Sequence, residues 1–152
     1  MTDKQFQLAA AESLAGGGEA LLVEGASDQV ALEALAARRG RDLAAEGIAV
    51  VPMGRVDLEA LGFYVCVADL EDELIRCLGA ARVEQVVEAQ GELGSFRSFQ
   101  QQPAWEGRSS QQQLRRFIGT HSGRKIRYAR LLVDALDLTS VPRPLDRVLA
   151  HF

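Results

Sequence analysis

The chain has 152 residues, 47% of them hydrophobic and 25% charged, which suits one soluble globular domain with a substantial core. No apolar run reaches the roughly 18 residues that a membrane span needs, and Met1-Thr2-Asp3-Lys4 lacks the apolar stretch of a secretory signal. Cys66 and Cys77 form neither a disulfide framework nor a zinc pattern, so the expectation is a reduced, cytoplasmic protein. The net charge of -4 conceals an asymmetry: residues 1–92 carry 17 acidic and 7 basic side chains, whereas residues 93–152 carry 4 and 10. Clustered carboxylates suit a divalent cation and clustered cations suit phosphates, although charge by itself is equally that of a solvated surface.

In chain order, residues 3–15 have helical spacing and Gly16-Gly17-Gly18 ends that helix. Residues 19–24 form a short apolar run closing on a carboxylate, as a buried strand would. Gly25 reads as a turn, Ser27 or Asp28 as the cap of the next helix, about 28–39, and Arg38-Arg39-Gly40 as its end. Ile48–Pro52 is a second buried strand, so the order strand, helix, strand predicts a βαβ unit and a parallel sheet.

Only Arg55–Gly62 then precede a third apolar run, Phe63–Val67. A parallel crossover takes about a dozen residues or more, so this strand is expected to run antiparallel or to lie elsewhere in the sheet. Helical patterns follow over 70–79 and 80–90. Residues 94–113 are polar and Gln-rich, with Phe96, Phe99 and Trp105 as scattered aromatic anchors. Helices are again expected over 111–118 and 126–137, with a short one after Pro142 and Pro144. The division expected is an N-terminal helix and glycine linker (1–18), an α/β core (19–92) and a basic, mainly helical part (93–152) packed on that core.

Three places carry chemistry. Glu24 ends a strand and Asp28 lies in the first turn of the following helix, where two hard oxygen donors at one corner suit magnesium. Read without their surroundings, they are equally an edge residue and a helix cap. Asp69-Leu70-Glu71-Asp72-Glu73 repeats the arrangement after the third strand, with more carboxylates than capping requires. Ser122–Ala129 reads as a basic loop running into an apolar helix, where Lys125 or an arginine could steady charge on a phosphoryl group. Arg115-Arg116 extends that basic surface. His121, His151 and Ser27 have no partner at a recognisable spacing, and Cys66 reads as core.

With these motifs in place, Leu21–Asp28 together with Val50–Gly54 resembles a TOPRIM domain, the fold shared by topoisomerases, DnaG-type primases and nucleases of the overcoming-lysogenization-defect (OLD) group. Ala68–Asp72 and Gly123–Ile126 are similar to the second acidic motif and the lysine motif of the OLD group. The resemblance covers most of residues 19–149 and is closest to small stand-alone forms without an ATPase domain, which leaves room for a separate ATPase partner. It implies an α/β, TOPRIM-like fold with a shortened, mostly parallel sheet flanked by helices. It also implies a DNA endonuclease that hydrolyses phosphodiesters with Mg2+ or Mn2+. Carried over residue by residue, the metal ligands are Glu24, Asp28, Asp69 and Glu71, and the catalytic residues are Glu24 and Lys125. Arg115, Arg116, Arg124, Lys125 and Arg127 are the expected nucleic-acid contacts.

One feature departs from the family: the Asp-x-Asp strand end that follows the βαβ unit in TOPRIM domains has only Arg55–Gly62 in its place. Asp57-Leu58-Glu59 has a similar spelling but no strand before it. A second expectation is therefore a degenerate relative that binds nucleic acid or a protein without cleavage. A third is a homodimer that covers the exposed edge of the shortened sheet.

Overall fold

A computed structural model describes residues 19–52, 66 and 68–151. The predicted helix over 3–15, the Gly16–Gly18 break, the Phe63–Val67 strand and Asp57-Leu58-Glu59 lie outside the described residues, apart from Cys66.

Two strands, β1 (Glu19–Val23) and β2 (Ile48–Pro52), flank helix α1 (Ala26–Arg38). They pair in parallel with Glu19 opposite Ile48 and Val23 opposite Pro52, so the predicted βαβ unit is present and the fold is α/β. Both strands are short apolar runs rich in Leu, Val and Ile, the composition of strands covered by helices. Among the described residues six more helices follow: α2 (Leu70–Leu78), α3 (Ala80–Ala89), α4 (Leu93–Gln100), α5 (Ser110–Gly119), α6 (Ser122–Ala135) and α7 (Arg143–His151). Gly79 separates α2 from α3 with φ of 78°, a conformation glycine adopts without steric cost.

Three local expectations need correction. Helix α1 begins two residues before 28, with Gly25 as its N-cap; Ser27 is buried rather than capping. Asp28 reaches back instead, its Oδ2 accepting from the Gly25 N–H at 2.8 Å. Within the polar, Gln-rich stretch 94–113, for which no helix was expected, Leu93–Gln100 forms α4. Its apolar signal is thin since Phe96 and Phe99 are the aromatic residues that anchor it. Ser122–Arg127 is not a loop but the opening of α6, so Lys125 stands in its first turns, on a rigid element.

One hydrophobic core joins the α/β unit to the later helices. It includes Leu32 and Leu35 of α1, Leu74 and Ile75 of α2, Leu114 and Ile118 of α5, and Leu132 and Val133 of α6. Helix α6 packs along α1, and α2 packs on both α5 and α6. Those contacts bring the start of α6 beside the start of α2, and thus the lysine motif beside the second acidic motif.

A polar clasp fastens this arrangement. Glu92, just before α4, accepts from Tyr128 Oη at 2.7 Å, Arg127 at 2.6 Å and Arg124 at 3.2 Å. Burial opposes ionisation of Glu92, yet these three donors outweigh it and hold its carboxyl below the usual value of 4.5. A lowered carboxyl pKa stabilises the fold above the unfolded-state value, and that contribution is lost as pH falls through the folded-state value. Tyr128 is wholly buried, so Glu92→Ala would leave its hydroxyl without a partner. The expected cost is about 2 kcal/mol at neutral pH. Urea unfolding checks this, with the gap between variant and wild type closing below pH 4.5.

Candidate metal and nucleic-acid site

Glu24 lies directly after β1 and is exposed, while Asp28 is half-buried in the first turn of α1. Helix N-termini favour negative charge, which explains why a carboxylate is tolerated at that position. Burial nevertheless pushes the Asp28 carboxyl up from 3.8, and the charge of Glu24 pushes the same way. The Gly25 N–H and Lys125 pull it down. Glu24, Asp28 and Lys125 therefore share one electrostatic neighbourhood.

Asp69 caps α2, with Oδ1 accepting from the Asp72 N–H at 2.8 Å, and its Oδ2 receives Arg115 at 2.6 Å. Glu71 is almost completely buried, and its Oε2 lies 3.3 Å from Lys125 Nζ. Its other oxygen, Oε1, is buried with no hydrogen-bond partner among the described residues. Burial raises the Glu71 carboxyl above its usual 4.5 and Asp69 adds to this, while Lys125 opposes. Cys66 lies close by, its thiol pushed up to about 12 by burial and by Glu73, Asp28, Asp69 and Glu71, so it stays a neutral thiol.

The raised carboxyls have a stability consequence. A carboxyl whose folded-state pKa lies above the unfolded one stabilises the fold below the unfolded value, and this is lost as pH rises through the folded value. Glu71→Gln is then expected to stabilise the protein at neutral pH by about 1 kcal/mol. Lys125, 40% exposed, would be hydrated rather than stranded. Thermal melts at pH 7 and pH 4 check the sign: the gain appears at pH 7 and shrinks at pH 4.

The basic residues separate into two groups. Arg115, Arg116 and Lys125 line an open cavity of about 480 Å³, with Asp69, Glu71, Trp105, Arg108, Gln112 and Gly119. Arg124 and Arg127 are held by Glu92 instead, and Arg124 also lies 4.2 Å over the Phe117 ring. Arg108 escapes a motif reading because no repeated spacing marks it. Glu92 escapes one because its partners come from a distant helix.

In this α/β domain, carboxylates at a strand end and at two helix starts stand near a lysine and a basic cavity. Residues 18–65 match the family model described as overcoming lysogenization defect protein-like, TOPRIM domain, and this segment is a TOPRIM domain of the OLD type. That assignment points to a nucleic-acid-related, metal-binding role. No curated protein and no solved structure matches the chain. Among the described residues no helix is long and apolar enough to cross a membrane.

The donors fit a hard cation in kind. Magnesium is held by one or two carboxylates with water and substrate oxygens completing its shell, and Glu24 with Asp28 offers such a pair. The unpartnered Glu71 Oε1 is a further oxygen of the right type. Among the described residues, however, no three Asp, Glu, His or Cys side chains are grouped closely enough to hold an ion together.

Proposed function

We propose that this protein is a Mg2+- or Mn2+-dependent DNA endonuclease of the TOPRIM/OLD type. The observation that carries the reading is the position of Lys125. It pairs with Glu71 of the second acidic motif, and its charge opposes the burial that raises the Asp28 carboxyl in the first, so one ammonium group acts on both acidic motifs.

In this reading Glu24 and Asp28 would hold the ion, with Glu71, and Asp69 beside it, as further oxygen donors. The bound metal would supply the Lewis acidity that activates water and steadies the leaving oxygen. Lys125 turns from Glu71 toward a non-bridging phosphate oxygen and stabilises the charge that develops there. Glu71, packed against the core, fixes where that ammonium waits. Arg115 and Arg116 hold the flanking phosphates, while Arg124 and Arg127 contribute to the field from outside the cavity. The acidic core over 19–92 handles the ion and the basic part over 93–152 handles the DNA.

Nicking of supercoiled plasmid with either metal tests the proposal. Absence of nicking, together with no heat of metal binding in calorimetry, would remove it.

A second reading, a non-cleaving DNA-binding relative, is favoured by the lack of a three-ligand group among the described residues. It predicts salt-sensitive binding with no cut product at any metal concentration.

A further inference from the structure

The cavity beside Lys125 contains more than the proposed chemistry uses. Of its four cations, Lys125 and Arg115 are paired with Glu71 and Asp69. Arg108 and Arg116 have no carboxylate partner among the described residues, although both line the same space. Two uncompensated guanidinium groups facing one concavity make a site for phosphate.

The wall opposite in character is aromatic. Trp105 lines the cavity, and Phe99 stacks behind it at 5.2 Å between ring centroids with 29° between planes. Phe99 in turn rests against Phe117 at 5.8 Å. The indole is thus backed by core aromatics.

The turn that carries Trp105 and Arg108 is also fixed from below. Gln113, buried, donates from Nε2 to the Trp105 carbonyl at 2.8 Å, and its Oε1 accepts from Gln100 at 2.7 Å. Trp105 N–H bonds to Gln102 O at 2.8 Å and Arg108 N–H to Trp105 O at 3.2 Å. A buried side-chain amide spent on holding one surface turn in place preorganises whatever that turn presents.

We infer that this cavity binds one nucleotide of single-stranded DNA, its base stacked on Trp105 and its phosphate between Arg108 and Arg116. An aromatic platform joined to a cationic groove is how proteins hold single strands without reading sequence. The cavity is too small for a duplex and large enough for one nucleotide, given that ligand pockets run from about 300 to 1,000 Å³. Lys125 and Glu71 line the same cavity, so a strand held there lies beside residues of the proposed metal site. The inference takes its choice of DNA from the proposed function, but the binding it describes does not require cleavage.

Trp105 is the only tryptophan in the chain, so its fluorescence reports on this cavity alone. With a chelator present, a short oligodeoxythymidylate is expected to quench it, and the quench should track binding measured by anisotropy of a labelled strand. Arg108→Ala with Arg116→Ala, both on exposed side chains, should weaken binding at least tenfold, at ~0.7 per lost phosphate contact in the salt slope. Trp105→Phe should retain most affinity and Trp105→Ala should lose about tenfold.

The inference is overturned if the strand binds without quenching, or if the double arginine variant binds as tightly as wild type. It also falls if inorganic phosphate alone gives the full quench, or if a duplex or oligouridylate of equal length binds at least as well. Plasmid nicking read in parallel separates the two ideas. Quenching with neither nicking nor heat of metal binding removes the nuclease reading and keeps this site, and nicking without quenching does the reverse.

Discussion

Lys125→Ala is expected to lower metal-dependent plasmid cleavage by about 10²- to 10³-fold, the loss typical when one preorganised transition-state donor is removed. The side chain is half-exposed and bonded only to Glu71 among the described residues, so the helix around it should persist. Removing the ammonium leaves the Glu71 carboxylate buried without its counter-charge. The Glu71 carboxyl then titrates at higher pH, and the remaining activity shifts its acidic limb upward, because a proton competes with the ion for the carboxylates. Lys125→Arg keeps the charge and should recover part of the rate. Initial nicking rates from pH 5.5 to 8.5 check all three statements. Equal rates for wild type and Lys125→Ala would leave Lys125 with only an ion-pairing role.

Phe96→Ala should be the most destabilising single change in the helical part, costing about 3–5 kcal/mol and lowering the melting temperature by roughly 10 °C. Phe96 is wholly buried. It meets Phe117 edge-on at 5.2 Å and Phe99 at 6.4 Å. Its removal opens a cavity where α4 and α5 meet, and it loosens Phe99 behind Trp105. Unfolding in urea measures the first effect. A red shift of Trp105 emission before the main transition measures the second, since a loosened indole admits water ahead of global unfolding.

The βαβ unit was legible because each of its signals is local. Apolar runs of five residues, a glycine turn and a helix closed by Arg38-Arg39-Gly40 need no distant partner to be read. Asp69 as a helix cap was legible for the same reason, as its bond to the Asp72 N–H spans three residues. The start of α6 misled because Ser122-Gly123 and a run of cations spell a loop. His121 is its N-cap, and no side-chain bond there announces the helix. Helix α4 was missed where only Phe96 and Phe99 supply an apolar stripe, and their burial depends on contact with Phe117 of α5 rather than on neighbours in sequence.

The same division runs through the site. Sequence by itself determined the inventory: two acidic motifs, a lysine motif and a surplus of cations after residue 92. That inventory is read from residue type and spacing. Tertiary structure alone decided which charges remain available. Arg124 and Arg127 are spent on Glu92, Arg115 on Asp69 and Lys125 on Glu71, while Arg108 and Arg116 face the cavity with no carboxylate partner among the described residues. Pairing of opposite charges depends on distance in space, falling off with separation and with solvent between them. Spacing along the chain carries almost no information about it once helices pack across one another.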